Sequence, residues 1–322
     1  MNKFIKETLT FILASILLIV SIMLVSGYLI KIKGRFPVNK KASILLLGHS
    51  HTECAFNDNL IIDLKNYSHS AEPYFYTYQK LRKIAAQNSQ IKTVFIEYSN
   101  NQIVEKMNDW TWGYQYMSSM FPQYAAFMDK SDISLIFEHN SKDFLNCLSL
   151  ATRENLFRIF TFNYDFSSAM GGYLRVDHEQ PNLNSATNVK SELNAESFRI
   201  SAVNIQYLQK IIAYCNDKHL QVFLVRSPQH NKYEYLKNEA DLLKIKQQYF
   251  PNTEFLDFNK FPLADHEFAD PGHLNYKGAL KFSVYVNQIL SSGLLGMHNK
   301  QHFIDETIHQ MNLKLKNKVA SL

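Results

Sequence analysis

The fold is decided by residues 43–52, which read Ser-Ile-Leu-Leu-Leu-Gly-His-Ser-His-Thr. The run of apolar residues between polar and turn-forming neighbours predicts a short strand that is buried on both faces. Gly48 allows a tight turn after this strand, and Ser50 follows just beyond its carboxyl end. Apolar spacing over residues 53–64 predicts a helix next. Because reacting groups gather at the carboxyl ends of strands in open parallel sheets, Ser50 is a candidate nucleophile.

The same succession of strand, loop and helix continues along the chain. Buried strands are predicted at residues 92–98, 220–225 and 253–258. Helices with apolar spacing are predicted at residues 73–87, 196–216 and 279–290. Such alternation is typical of parallel sheets. It predicts an α/β domain over residues 42–292, with a doubly wound, mostly parallel sheet that is flanked by helices.

Two regions depart from this pattern. Residues 102–180 carry both tryptophans, Trp110 and Trp112, among many tyrosines, phenylalanines and methionines. They predict a helical insertion, which either overhangs the site or packs as a helical subdomain of its own. Residues 293–322 predict an amphipathic helix that docks on the domain, on a partner or on the bilayer surface.

Residues 1–41 predict a transmembrane anchor followed by a basic linker. No charged residue occurs from Thr8 to Ile30, and a helix of this length spans a hydrocarbon core of about 30 Å. A cleaved signal peptide is the alternative. Five basic residues follow the apolar run: Lys31, Lys33, Arg35, Lys40 and Lys41. The positive-inside rule places this flank in the cytoplasm, which conflicts with a domain that works outside it.

The net charge and the spacing of the cysteines limit which partners and cofactors we expect the protein to bind. The net charge of +5 is modest, and much of the excess lies near the amino terminus. No basic stripe interleaved with aromatic residues occurs elsewhere, so we predict membrane contact and no nucleic acid. Cys54, Cys147 and Cys215 are too widely spaced for a metal motif or a disulfide framework, and we predict them to be buried. We predict no cofactor.

A second motif lies far downstream at residues 268–279, which read Phe-Ala-Asp-Pro-Gly-His-Leu-Asn-Tyr-Lys-Gly-Ala. Asp270 and His273 are three residues apart and precede a predicted helix. Together with Ser50 they stand in the order Ser, Asp, His. Such a set can supply the nucleophile, the orienting carboxylate and the general base of an acyl transfer.

The two motifs resemble blocks I and V of the SGNH hydrolase superfamily, which contains GDSL-like esterases and acyltransferases. The run Asp-x-x-His-Leu-Asn-x-x-Gly is the more specific one, and the resemblance covers residues 42–101 and 196–292. It implies a flavodoxin-like sheet and an acyl-serine intermediate. The family's usual Gly-Asp-Ser is Gly48-His49-Ser50 here, a variant that resembles membrane-anchored members more than secreted lipases.

The resemblance also implies which groups would stabilise an oxyanion. They are the backbone N–H of Ser50, the backbone N–H of Ala71 at a position where the family has glycine, and the side chain of Asn101. Asn100 is the alternative to Asn101.

Four further polar residues are predicted at the substrate side of the site. His49 and His51 flank Ser50, while Arg226 and His230 follow a strand end. Arg226 suits a carboxylate or phosphate, and a structural ion pair is an equal alternative. His49 and His51, with His69, also suggest part of a zinc site. Because no further ligand motif accompanies them, we predict no metal.

These observations predict a single-pass membrane protein, and the resemblance implies that its α/β domain lies outside the cytoplasm. They favour a serine-dependent hydrolase or O-acyltransferase. The resemblance implies acyl esters, mainly acetyl esters, of a cell-envelope glycan as substrates, and a membrane acyl-donor protein as a candidate partner. Water or a sugar hydroxyl would accept the acyl group, and the sequence leaves this choice open. Two alternatives remain: a catalytically inactive envelope protein that binds such a partner, and a metal-dependent phosphodiesterase.

Overall fold

A computed structural model describes residues 2–179 and 198–320 of the protein. Contacts divide the chain into two compact units. An α/β unit comprises Val38–Thr111 and Met170–Leu322, and a helical unit comprises Met1–Pro37 and Trp112–Ala169. Residues 102–111, at the start of the expected insertion, therefore belong to the α/β unit.

Strands and helices alternate in the α/β unit. The strands are β1 (Ile44–Leu47), β2 (Leu64–Asn66), β3 (Thr93–Glu97), β4 (Gln221–Arg226), β5 (Glu254–Asp257), β6 (Phe268–Asp270) and β7 (His273–Leu274). The helices of the whole chain are α1 (Asn2–Lys33), α2 (Ser50–Ala55), α3 (Tyr74–Gln87), α4 (Asn108–Trp112), α5 (Tyr114–Tyr124), α6 (Lys130–His139), α7 (Ser141–Phe160), α8 (Ala202–Asp217), α9 (Glu239–Tyr249), α10 (Tyr276–Ser291) and α11 (Lys300–Ala320).

The first five strands form one parallel sheet in the order β2-β1-β3-β4-β5. Every side chain of β1 is buried, as a strand covered on both faces requires. The strand order changes direction between β1 and β3, and this is the place where doubly wound sheets open a ligand crevice. The predicted α/β fold with a parallel sheet flanked by helices is therefore confirmed.

The helix predicted over residues 53–64 is wrong. α2 ends at Ala55, and the chain then wraps over α10. Side chains of α10 accept hydrogen bonds from the backbone N–H groups of Asn57 and Ile62, at 2.9 and 2.8 Å, in place of helical carbonyls. Asp63 takes a left-handed backbone conformation with φ +63°, and β2 begins directly after it. This short strand ends in Asn and was not predicted.

The carboxyl-terminal helix α11 docks on the α/β unit, which was one of its three expected surfaces. Ile304 and Ile308 are buried in the core with Phe282 of α10. The Gln301 side chain pairs with the edge strand β5, where it accepts from the Asp257 N–H at 2.8 Å and donates to the Asp257 carbonyl at 3.0 Å. Apolar burial and this backbone pairing both hold α11 in place.

The helical unit is built mainly from α1, α5, α6 and α7. α7 packs along both α1 and α5. The Phe36 ring stacks on Phe166 at a centroid distance of 5.2 Å and meets Phe127 edge-on at 5.1 Å. These aromatic residues fill the interior of the helical unit, as large aromatic side chains mostly do.

Within the described part of the chain, α1 is the one helix long and apolar enough to cross a membrane. The candidate span is Lys3–Lys33, with a mean hydropathy of 2.7. Large apolar side chains such as Leu17 and Leu18 are well exposed along it. By length and composition, α1 therefore fits a membrane-spanning helix.

Candidate active site

Gly48 is required because the ends of β1 and β3 approach closely. A Cβ atom at Gly48 would lie 2.5 Å from Oε2 and from Cβ of Glu97, the last residue of β3. His49 then caps α2, since its Nδ1 accepts from the His51 N–H at 3.3 Å. Ser50 begins α2 at the carboxyl end of β1 and so lies at the crevice of the sheet.

Asp270 and His273 lie on a small hairpin. β6 and β7 pair antiparallel with these two residues directly opposite each other. Asp270 Oδ1 accepts from the Gly272 N–H at 2.8 Å and from the His273 N–H at 3.1 Å, which closes the turn between them. The His230 N–H donates to the Pro271 carbonyl at 2.9 Å and fixes the tip of this turn. The spacing of three residues is therefore that of a tight turn.

The rest of the downstream motif shapes the backbone. Asn275 caps α10, where its Oδ1 accepts from the N–H groups of Lys277 and Gly278 at 3.0 and 3.2 Å. A Cβ atom at Gly278 would collide with the carbonyl of Glu267. The Asn and Gly of the motif therefore hold the hairpin against α10, while its Asp and His carry the titratable groups.

The hairpin meets Ser50 at the crevice. Ser50 Oγ lies 2.7 Å from His273 Nε2, and His273 Nδ1 lies 2.9 and 2.8 Å from the two carboxylate oxygens of Asp270. Burial favours the neutral form of Asp270, but the hydrogen bond and charge of His273 outweigh it and keep the pKa of Asp270 below its usual value. An ionised Asp270 fixes the proton on Nδ1 and leaves Nε2 able to accept the Ser50 proton.

A second histidine also reaches Ser50. His49 Nδ1 is 3.4 Å from Ser50 Oγ, and His49 Nε2 is 3.2 Å from Glu97 Oε1. The Asp270 and His273 side chains are 45% and 28% exposed, whereas Glu97 and His49 are fully buried. Burial outweighs the attraction of Glu97 and lowers the pKa of His49 to about 3. At neutral pH His49 is therefore a neutral hydrogen-bonding group and a poor proton acceptor.

Glu97 is a buried carboxylate surrounded by donors. Its Oε2 accepts from the His49 N–H at 2.8 Å and from the Thr52 hydroxyl at 2.7 Å. Its Oε1 lies 3.1 Å from Ser99 Oγ and 3.3 Å from His51 Nδ1. Burial opposes the charge, but His49 and the hydrogen bonds of His51 and Thr52 prevail, so the pKa of Glu97 lies below its usual value. These donors stabilise a charge that would otherwise be costly to bury.

No role was predicted for Glu97, Thr52 or Ser99. The available signal was a single charged residue at the end of an otherwise apolar strand. A buried strand rarely ends in an unpaired carboxylate, so Glu97 required partners from a neighbouring segment. The strand order supplies them, because β3 lies next to β1 and its carboxyl end faces the turn before Ser50.

His49, His51 and Glu97 also form a candidate metal cluster, because their ligand atoms lie within 4.8 Å of one another. Imidazole and carboxylate groups are ligands that zinc uses. The same atoms already have protein partners. His49 Nε2 lies 3.2 Å from Asn101 Oδ1, and His51 Nδ1 lies 2.8 Å from Gln229 Nε2. The hydrogen-bonded cluster thus accounts for the buried carboxylate without an ion.

Asn101 is anchored by its oxygen. Its Oδ1 lies 2.9 Å from Ser99 Oγ and 3.2 Å from His49 Nε2. Across residues 2–179 and 198–320, its Nδ2 has no acceptor, and neither does the backbone N–H of Ser50. An amide held by its oxygen presents its N–H groups in a fixed direction. Asn101 and Ser50 therefore offer two available donors beside the crevice.

Asn100 and Arg226 belong instead to an ion-pair network. The five N–H groups of Arg226 all have acceptors: two on Asp257 at 2.9 and 2.5 Å, two on Glu239 at 2.6 and 2.9 Å, and Asn100 Oδ1 at 2.9 Å. Asn100 Nδ2 in turn donates to Glu239 at 2.9 Å and to Asn238 at 3.1 Å. No guanidinium donor remains for a substrate, so the structure places Arg226 in the ion pair that the sequence left open.

Ala71 lies in the loop after β2 with a left-handed backbone, φ +58°. The Ser70 hydroxyl bonds to the Glu53 carboxylate of α2, and His69 Nδ1 lies 3.0 Å from the Ser70 carbonyl. This loop is thereby fixed to the helix that Ser50 begins. Among the described residues the Ala71 N–H has no acceptor, so it is a third available donor.

His51 and His230, which were expected on the substrate side of the site, have buried side chains. The side chain of His49 is buried as well. The His51 ring packs edge-on against the His273 ring at a centroid distance of 5.1 Å. His230 Nε2 lies 3.2 Å from Asp265 Oδ1. Both histidines therefore contact the hairpin that carries Asp270 and His273.

Comparison with known proteins gives one partial match. A protein-family model of unknown function matches residues 161–294, which include β4, β5, Asp270 and His273 but not Ser50. No curated protein matches the chain. The match covers less than half of the chain, so it does not show which family the chain belongs to.

Proposed function

We propose that the protein is a serine-dependent hydrolase or O-acyltransferase that works through an acyl group on Ser50. The observation that carries the proposal is the hydrogen-bonded chain from Ser50 Oγ through His273 to Asp270, with distances of 2.7 and 2.8 Å. In this order the groups can remove a proton from the nucleophile and return it to a leaving group.

In the first half-reaction, Ser50 Oγ bonds to the carbonyl carbon of the ester while His273 Nε2 takes the hydroxyl proton. Negative charge gathers on the carbonyl oxygen, where the N–H groups of Ser50, Ala71 and Asn101 would donate. The C–O bond to the alcohol then breaks, and the alcohol leaves with the proton from His273. In the second half-reaction, water or a sugar hydroxyl gives its proton to His273 and attacks the acyl carbon, which releases Ser50 in its original state.

The proposed substrates are acyl esters, mainly acetyl esters, of a cell-envelope glycan. Support comes from the resemblance to membrane-anchored SGNH proteins and from α1, which is long and apolar enough to span a membrane. We propose that the α/β unit lies outside the cytoplasm, with a membrane acyl-donor protein as partner if the reaction is a transfer. The basic flank after α1 argues for the opposite orientation. A carboxyl-terminal alkaline phosphatase fusion, active only outside the cytoplasm, decides between the two.

A fluorophosphonate probe tests the chemistry directly. Full-length protein in detergent should become labelled on Ser50 and should release p-nitrophenol from p-nitrophenyl acetate, whereas Ser50→Ala should do neither. Mass analysis with an added glycan acceptor separates transfer from hydrolysis.

Two other results would contradict the proposal. Folded wild-type protein that is not labelled would favour an inactive binding protein. Phosphodiesterase activity that survives Ser50→Ala and is lost with a chelator would instead favour a metal ion at His49, His51 and Glu97.

A further inference from the structure

α7 ends in a cluster of exposed aromatic side chains. Phe157, Phe160 and Phe162 are 61%, 77% and 78% exposed. Neighbouring phenylalanines with this exposure are unusual on a protein in water and normally mark an interaction surface. They belong to the same compact unit as α1.

Residues of α7 adjacent to these phenylalanines pack against α1 inside its apolar stretch. Leu156 and Ile159 line an apolar groove of about 280 Å³ together with Ile22, Val25 and Leu29. The three α1 residues lie within the uncharged run of that helix. The end of α7 is therefore placed beside the part of α1 that is suited to hydrocarbon.

The chain then returns to the polar end of α1. The Tyr164 carbonyl accepts from the Arg35 N–H at 2.8 Å, and Lys33 Nζ lies over the Tyr164 ring at 5.2 Å. Because an α-helix rises 1.5 Å per residue, Leu29 and Ile22 lie roughly 6 and 17 Å from Lys33 along the axis of α1. Along the axis of α1, the segment between α7 and Tyr164 therefore lies between the apolar run of α1 and the polar end of that helix.

The backbone at Phe162 is an independent observation. This residue follows the end of α7 with φ +53°, a left-handed conformation that is unfavourable for a bulky L-residue. Helices commonly place glycine at this position. In water, the exposed Phe162 side chain has no apolar burial to offset its unfavourable backbone conformation. In an apolar surrounding, the same side chain would be buried.

We infer that residues 157–162 are embedded in the membrane leaflet next to the polar end of α1. Lipid acyl chains are the occupant that the surroundings favour, because the aromatic cluster is continuous with the exposed apolar surface of α1. The helical unit would then contact the bilayer through two elements, a spanning helix and an inserted aromatic turn. The inference depends on the proposed membrane span and is independent of the chemistry at Ser50.

Fluorescent labelling in vesicles tests this inference. Full-length protein carrying Phe160→Cys, Leu17→Cys or Leu243→Cys is labelled with a thiol-reactive bimane and reconstituted into phosphatidylcholine–phosphatidylglycerol vesicles. The native cysteines are buried, and the unmodified chain serves as the blank. Leu17 lies midway along α1, and Leu243, an exposed apolar residue of α9, is the matched control. We expect brominated lipid to lower the emission at Leu17 and Phe160 roughly twofold or more, and aqueous iodide to quench only the label at Leu243.

Each contrary outcome has a distinct meaning. If brominated lipid quenches at Leu17 but iodide quenches at Phe160, the membrane span stands and the inference fails. If Phe160 is shielded from both quenchers, a protein surface such as a second copy covers it, and the inference also fails. If neither Leu17 nor Phe160 responds to brominated lipid, α1 does not span, and the proposed localisation fails as well.

Discussion

The two acid–histidine pairs beside Ser50 use the same chemical groups in opposite environments. His273 and Asp270 are partly exposed on a hairpin, and His273 Nε2 is 2.7 Å from Ser50 Oγ. His49 and Glu97 are fully buried, and His49 Nδ1 is 3.4 Å from the same oxygen. Burial keeps His49 neutral, whereas the exposed pair can exchange protons with an incoming substrate. The environment, rather than the residue type, separates a proton carrier from a support.

The buried pair acts through its neighbours. Glu97 accepts the backbone N–H of His49 and the hydroxyl of Thr52, and so fixes the turn that presents Ser50. His49 Nε2 lies 3.2 Å from Asn101 Oδ1 and so helps to orient that amide. We therefore expect changes in the exposed pair to stop the chemistry, and changes in the buried pair to lower stability.

Asp270→Asn should lower activity more than any other variant. A small loss of activity would contradict the distinction between the exposed and the buried pair. We expect kcat/KM for p-nitrophenyl acetate to fall by about 10⁴-fold, because an amide no longer fixes the His273 tautomer. The oxygen that closes the turn remains, so the free energy of unfolding should change by less than about 1 kcal/mol. Kinetics and chemical denaturation of the same preparation measure both. Activity within tenfold of wild type would exclude Asp270 as the orienting group.

Glu97→Gln makes the same chemical change in the buried pair and should have the opposite profile. The amide nitrogen of Gln would face N–H or O–H donors, so at least one buried donor loses its acceptor. We expect the free energy of unfolding to fall by about 1–3 kcal/mol. Glu306→Gln is the matched control, because Glu306 and its partner His302 are both well exposed and the loss of this pair should cost less than about 1 kcal/mol. Equal, small losses in both variants would contradict a structural role for Glu97.

Asn101→Ala tests whether the buried pair supports the chemistry at Ser50 through the Asn101 amide. If the buried pair orients this amide as an oxyanion donor, kcat should fall by about 10²–10³-fold with little change in KM. Asn100→Ala is the control next door, since Asn100 belongs to the Arg226 network. Asn100→Ala should lower the free energy of unfolding, whereas the kcat of the folded protein should stay at the wild-type value. Comparable loss of kcat in both variants would show that neither amide has a specific catalytic part.

Acidification should destabilise the folded protein through His49. The pKa of His49 is about 3 in the folded protein against an ordinary 6.5, so the unfolded chain takes up the proton first. The contribution of neutral His49 to the free energy of unfolding is complete above about pH 6.5 and is lost as pH falls. From His49 alone, the loss at pH 4.5 is roughly 2–3 kcal/mol. His51 acts in the same direction. Burial raises the pKa of Glu53, which acts in the opposite direction and loses stability as pH rises.

Denaturation of wild type and His49→Asn between pH 4.5 and 7.5 isolates this contribution. Asn retains an oxygen that can cap α2 but has no group that titrates in this range. The variant should therefore show a flatter dependence of unfolding free energy on pH. Parallel curves would mean that His49 is not the group that titrates.

The exposed half of the site could be predicted from sequence because its constraints are local. The turn at residues 271–272, the cap at Asn275 and the close approach at Gly278 all lie within one short stretch. A tight turn places Asp270 beside His273 whatever the rest of the chain does. Similarly, the uninterrupted apolar strands sufficed to predict a parallel sheet.

The buried half could not be predicted because it depends on which strands are neighbours. His49 faces Glu97 only since β3 lies beside β1. Arg226 is saturated by acids from β5 and α9, which are distant in sequence. Seen alone, each of these side chains looks available to a ligand. Long-range pairing decides whether it faces the crevice or the interior.

Ala71→Gly should have the smallest effect and tests the donor that neither pair touches. The left-handed backbone at Ala71 costs about 1–2 kcal/mol, and glycine removes that cost while adding about 0.5–1 kcal/mol of unfolded-state entropy. The net gain in stability should therefore be at most about 1.5 kcal/mol. Because the N–H stays in place, turnover should change less than about twofold. Ala213→Gly, at an exposed position inside α8, is the control and should lose about 1 kcal/mol. Equal losses in both variants would mean that Ala71 is not held in the strained conformation.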